Sequence, residues 1–82
     1  MSVILSVRPA GAAWRLVVDQ DRFQTFACPR VAERRGRWLA ARMSVAGQMT
    51  HLEVYDWAGR LLGVWRDEAF EPAKRTAMRR AA

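Results

Sequence analysis

"CPRVAERRGRWLAARMSVAG", residues 28 to 47, reads as the one helix of this chain, and its two faces decide the fold. Pro29 occupies the first-turn position, where a missing N–H is harmless, and Gly47 supplies the stop. At about 100° per residue, Ala32, Gly36, Leu39, Met43 and Ala46 fall on one stripe of mostly small side chains. A small face lets a helix lie close on a sheet. That gives Gly36 a reason, despite a cost of ~1 kcal/mol relative to alanine. Arg30, Arg34, Arg37, Ala41 and Ser44 make the opposite stripe; Val31, Arg35, Trp38, Arg42 and Val45 run along the flank. Arg35 and Arg42 can each stack over Trp38 from a neighbouring turn. Glu33 stands one turn before Arg37, a pairing of ~0.3 kcal/mol.

Outward from the helix, both sides read as strands. "VILSV" (3–7) is rich in β-branched residues and stops at the turn signal "RPAG". "AWRLVV" (13–18) alternates, and "RFQTFA" returns from a "DQD" loop as the second arm of a hairpin. Phe23 and Phe26 cannot share a face under strict alternation, so a bulge or an early strand end is expected there. "THLEVYD" and "RLLGVW" form a second hairpin around "DWAGR". After Trp65 the pattern dissolves, and Pro72 divides an acidic piece from a basic tail. The order β-β-β-α-β-β predicts an α+β domain over residues 1–71, a small antiparallel sheet with one helix on one face. Residues 72–82 read as a basic, mobile tail.

Residues 14 to 65 resemble a short bacterial family, a domain of unknown function with a β-β-α-β-β core. The resemblance rests on Trp14 and Leu16 in a strand, Phe26 before the helix and Ala32 in its first turn. Leu52, Val54, Asp56 and Gly59 match the second hairpin. The leading strand and Gly36 depart from that pattern. The resemblance implies a fold and no activity.

Composition excludes several classes. With one cysteine, Cys28, an intrachain disulfide is impossible, and with one histidine, His51, a zinc site is not expected. No apolar run approaches membrane-spanning length, and no positive segment precedes the N-terminal apolar patch, so a strand is expected there, not a signal peptide. A cytoplasmic bacterial protein is the expectation. A nucleophilic Cys28 would need a positioned base, and His51 is the only imidazole. Asp19, Asp21, Asp56 and Glu68 fall where turn chemistry alone puts carboxylates. "GRLLG" lacks the Lys-Ser/Thr of a phosphate loop. Neither an enzyme nor a cofactor is expected.

Charge is what remains. Residues 30–43 carry a net +4, residues 72–82 another +4, and the rest −2, within a total of +6. Such segregation suits a polyanion, although one lysine among fourteen basic residues also reflects what GC-rich coding would give. Nucleic acid is the favoured partner, met by Arg30, Arg34 and Arg37 with Lys74, Arg75, Arg79 and Arg80. The alternative is an acidic protein surface, with the helix face merely solvated. Alternation that sends Trp14, Leu16, Leu52, Val54, Leu62 and Val64 to the helix leaves Val17, Tyr55, Leu61 and Trp65 on the far face. Arg15, His51 and Glu53 lie among them. One helix cannot cover both sides of a sheet, so a homodimer through that quartet is expected.

Overall fold

The computed structural model describes residues 2–19 and 21–73. Three strands, β1 (Ser2–Ala10), β2 (Ala13–Val17) and β3 (Phe23–Phe26), precede the helix α1 (Pro29–Val45). Three more follow: β4 (Met49–Tyr55), β5 (Leu61–Arg66) and β6 (Ala69–Pro72). They form one six-stranded sheet in the order β3-β2-β1-β4-β5-β6. Each half is an antiparallel meander, and the halves join through a parallel pairing of β1 with β4. That pairing follows from the helix: a chain leaving the top of β3 and crossing the sheet as α1 starts β4 in the direction of β1. The fold is α+β with one helix packed on a mostly antiparallel sheet.

The helix keeps its expected limits. Gly47 stands at φ 93°, and the amides of Gly47 and Gln48 turn back to the carbonyls of Ser44 and Met43, closing the last turn. Ala32 and Gly36 are its buried residues, over a core of Leu5, Val7, Trp14, Leu16, Leu52 and Val54. A Cβ on Gly36 would lie 2.8 Å from Leu52 Cδ1 and 3.0 Å from Leu16 Cδ1, closer than carbon atoms tolerate. The helix rests on the sheet with no room for a methyl group. Leu39, Ala40 and Met43 continue the contact as partly buried neighbours; Ala46, at the C-cap, is exposed.

Three expectations need correction. Phe23 and Phe26 require no bulge: β3 pairs with β2 in unbroken register, Phe23 opposite Val17 and Phe26 opposite Trp14, so the two rings take opposite faces. The segment after Trp65 forms a strand. β6 pairs with β5 through a turn in which Asp67 adopts φ 57°, and Ala73 donates its N–H to the Leu62 carbonyl at 2.8 Å. Pro72 thus belongs to the sheet, and does not open a tail.

The third correction has the largest consequence. A bulge between β4 and β5 sets Val54 opposite Gly63 but Tyr55 opposite Leu61, leaving Leu62 as the extra residue. One extra residue inverts the parity of everything after it. Trp65 therefore stands opposite Leu52 on the helix side, and Val64 stands opposite Glu53 on the far side. The expected far-face quartet loses Trp65, and the expected helix-side pair loses Val64.

The contact at Gly36 can be weighed by substitution. Gly36→Ala gains up to ~1 kcal/mol of helix propensity, whereas overpacking a closed core costs about 1–3 kcal/mol. Urea unfolding should show Gly36→Ala to be less stable than the parent by about 1 kcal/mol. A stabilised variant would mean that the helix stands further from the sheet.

Candidate nucleic-acid interface

Because Ala32 and Gly36 bring α1 close to the sheet, only Leu39 and Met43 of its large side chains reach the core, and the arginines and Trp38 point outward or sideways. Arg30 and Arg34 are exposed on the outer stripe, free of any salt bridge, side-chain hydrogen bond or aromatic stack among the described residues. Arg35 and Arg42 flank Trp38, their guanidinium carbons 4.4 and 4.9 Å from the ring centroid. Trp38 is nevertheless 47% exposed, since the two cations cover it from the turns before and after. The stems pack on the indole and the charged ends stay in water.

Arg37, expected to be free, is engaged. Its guanidinium lies 3.9 Å from the centroid of the Trp65 ring. Trp65 in turn donates Nε1–H to the Glu33 carboxylate at 2.5 Å and meets Phe70 at a ring distance of 5.3 Å. Phe70 crosses Gly63, where a Cβ would approach the Glu71 carbonyl to 2.6 Å. Glu33, Arg37, Trp65 and Phe70 thus form one wedge between the first half of the helix and the outer strands. Sequence alone could not find it, because the bulge decides which way Trp65 faces.

The helix arginines, like Arg8 and Arg15 of the sheet, form no salt bridge among the described residues. The described salt bridges are Arg22–Asp19 at 2.8 Å, Arg60–Asp56 at 3.3 Å and Arg66–Glu71 at 2.6 Å. None involves a helix arginine. Asp19 and Asp56 do the turn work expected of them: each accepts two backbone amides through Oδ1. Those amides come first in holding both carboxyls below the ordinary aspartate range, with Arg22 and Arg60 adding to the effect. Apart from Glu33, held by Trp65, the acids of the chain stand in turns and on the far face. The first turn of α1 holds no acidic residue, so its amide dipoles and the Arg30 charge reinforce each other instead of being offset. Cys28, at the N-cap, senses this: the amides of Val31 and Arg30 lower its thiol below the usual range, and the Arg30 and Arg34 charges add to the shift.

Lys74, Arg75, Arg79 and Arg80 lie outside the described residues. Ala73, the residue before them, is bonded to Leu62 at the end of the sheet where α1 begins.

Cys28 precedes the helix, while His51 lies on the opposite face of the sheet, its Nε2 3.3 Å from Arg66, so the two cannot meet. Three shallow clefts of about 280 to 370 Å³ border the helix; their lining residues include neither Cys28 nor a cluster of carboxylates around a base. Among the described residues no three His, Cys, Asp or Glu are placed to hold a metal ion, and no helix is long and apolar enough to cross a membrane. No protein-family model, curated protein or solved structure matches the chain.

The reactivity of Cys28 reports on the local field. Its alkylation by iodoacetamide near neutral pH should be faster in the folded chain than in urea, because a depressed pKa raises the thiolate fraction. The double variant Arg30→Ala/Arg34→Ala should slow it. Equal rates for parent and variant would show that these two charges do not act on the thiol.

Proposed function

We propose that this chain is a cytoplasmic, non-enzymatic nucleic-acid-binding protein that meets phosphates with the outer face of α1. One observation carries the reading: five arginines stand on one helix without a carboxylate partner among the described residues, while three of the five described arginines elsewhere, Arg22, Arg60 and Arg66, are each paired. Unpaired guanidinium groups on a rigid element retain their full attraction for a polyanion and lose no internal ion pair on binding. Arg30 and Arg34 are the primary phosphate contacts. Arg37 contributes from its place over Trp65, and Arg35 and Arg42 present their outer N–H groups around Trp38. Lys74, Arg75, Arg79 and Arg80, which lie outside the described residues, are further phosphate contacts of this reading, since Ala73 before them stands at the end of the sheet where the helix starts.

A second reading rests on a separate feature. Val31, Trp38 and Val45 are exposed at seven-residue intervals along α1, the spacing by which an amphipathic partner helix docks. With arginines on both sides of that stripe, the matching partner would be an acidic helix of another protein.

Fluorescence anisotropy with duplex DNA, single-stranded RNA and heparin, across a salt series, separates the two. Nucleic-acid binding should weaken with salt by a slope of about 0.7 to 0.9 per phosphate contacted. Arg30→Ala/Arg34→Ala should lower that slope by roughly two contacts' worth while changing stability by under ~0.5 kcal/mol. Adding Arg37→Ala should weaken binding further and also reduce stability, because it uncovers Trp65. Binding equal to the parent's in the double variant would remove the helix face from nucleic-acid recognition. Indifference to all three polymers would favour the acidic protein partner.

A further inference from the structure

The sheet face turned away from α1 has no cover among the described residues, and its composition says what fits it. Register places Ile4, Ser6 and Arg8 of β1, Arg15 and Val17 of β2, and Phe23 and Thr25 of β3 on this face. From the other half come His51, Glu53 and Tyr55 of β4, Val64 and Arg66 of β5, and Glu71 of β6. Ile4 is 56% exposed and Phe23 49%, so apolar groups stand in water at the middle and edge of the face. Around them the charges are divided by strand. The β1–β2–β3 half carries Arg8 and Arg15 and no carboxylate. In the β4–β5–β6 half are Glu53 and Glu71, with Arg66 already bound to Glu71 at 2.6 Å. Arg8 and Arg15 lie flat over Tyr55 and Phe23, at 4.1 and 4.3 Å from the ring centroids, so their apolar stems widen the contactable surface.

The geometry points to a second copy of this chain as the occupant, packed face to face about a two-fold axis parallel to the strands. That axis, passing between the central β1 and β4, lays β1 over the partner's β4 and each positive half over the partner's negative half. Arg8 then stands at the level of the partner's Tyr55, with the partner's Glu53 two residues along the strand and within reach of the long arginine side chain, twice by symmetry. Six strands about 4.8 Å apart and about five residues long give a face of roughly 500 Å² per copy, or about 1,000 Å² buried in total. This is the lower limit for a specific interface. An interface of this size, with apolar groups flanked by halves of opposite net charge, is self-complementary. The two α1 helices end on opposite outer surfaces, so their unpaired arginines stay apart and free. The inference does not depend on what α1 binds.

Sedimentation equilibrium of the full chain at ~100 μM is expected to return twice the 9.4 kDa chain mass. Ile4→Arg places a charge on a side chain already exposed in the single chain. The variant should stay folded by circular dichroism and sediment at the chain mass. Arg8→Glu and Glu53→Arg should each raise the dimer Kd tenfold or more, and the double exchange should bring it back to within about threefold of the parent. Arg34→Glu should leave the dimer intact. A chain mass of 9.4 kDa for the parent, a doubled mass that survives Ile4→Arg, or an exchange pair that fails to recover association would each overturn the arrangement. Should Ile4→Arg not fold, the exchange pair decides alone.

Discussion

The contact between Gly36 and the side chains of Leu16 and Leu52 is where this small fold is held. Six strands are too many for one helix to cover, and a helix held away by large side chains would cover fewer still. With glycine at its centre and Ala32 a turn earlier, α1 comes down on β2, β1 and β4 and closes Leu5, Leu16 and Leu52 completely from solvent. Of the larger residues of the helix, the inner face then takes only Leu39 and Met43, each partly buried. Trp38, Val31, Val45 and the arginines are displaced to the outside by the same constraint that closes the core. The basic outer surface is a by-product of how the helix packs.

The wedge beside the helix depends on a different residue. Leu62, inserted between Gly63 and Leu61, flips the parity of β5, so Trp65 turns toward Glu33 and Arg37 instead of toward the far face. This single shift changes two surfaces at once. It fills the gap between α1 and the outer strands with an indole hydrogen-bonded to a carboxylate. It also removes the largest aromatic from the uncovered sheet face and leaves Val64 in its place. The far face becomes a mixed surface of modest apolar groups and divided charge. A sheet face of that kind can stay soluble in the single chain and still associate.

Local features were legible in the sequence, and long-range register was not. The limits of α1, the two hairpins, the turn roles of Asp19 and Asp56, and the stacking of Arg35 and Arg42 on Trp38 follow from neighbours within one or two turns of chain. The strand β6 escaped because "AFEP" has no alternation of its own; Phe70 finds its place only over Gly63, and that pairing is not visible until β5 is aligned. The parallel pairing of β1 with β4 joins residues nearly fifty positions apart, where composition gives no signal. Of the candidate phosphate contacts, Arg30 and Arg34 stand free as expected. Arg37 does not, for the reason that moved Trp65.

The charge layout ties the helix to the sheet. A chain with a net charge of +6 repels its own copy, and two such helices laid against each other would bring their unpaired arginines within a Debye length of about 8 Å. Face-to-face sheets avoid this. With helix, sheet, sheet and helix stacked at roughly 10 Å per layer, the two arginine surfaces stand about 30 Å apart, well beyond screening distance. The face that the proposed dimer would bring together carries Glu53 and Glu71, whereas α1 carries Glu33 alone. Segregation of charge would serve both proposed surfaces: with Glu33 held by Trp65, the helix arginines have no carboxylate partner among the described residues, and Glu53 of β4 would be what the far face offers to Arg8 of a second copy. Two arginine surfaces on one particle would engage a long polyanion, or two of them, with an effective concentration set by the rigid spacing between them.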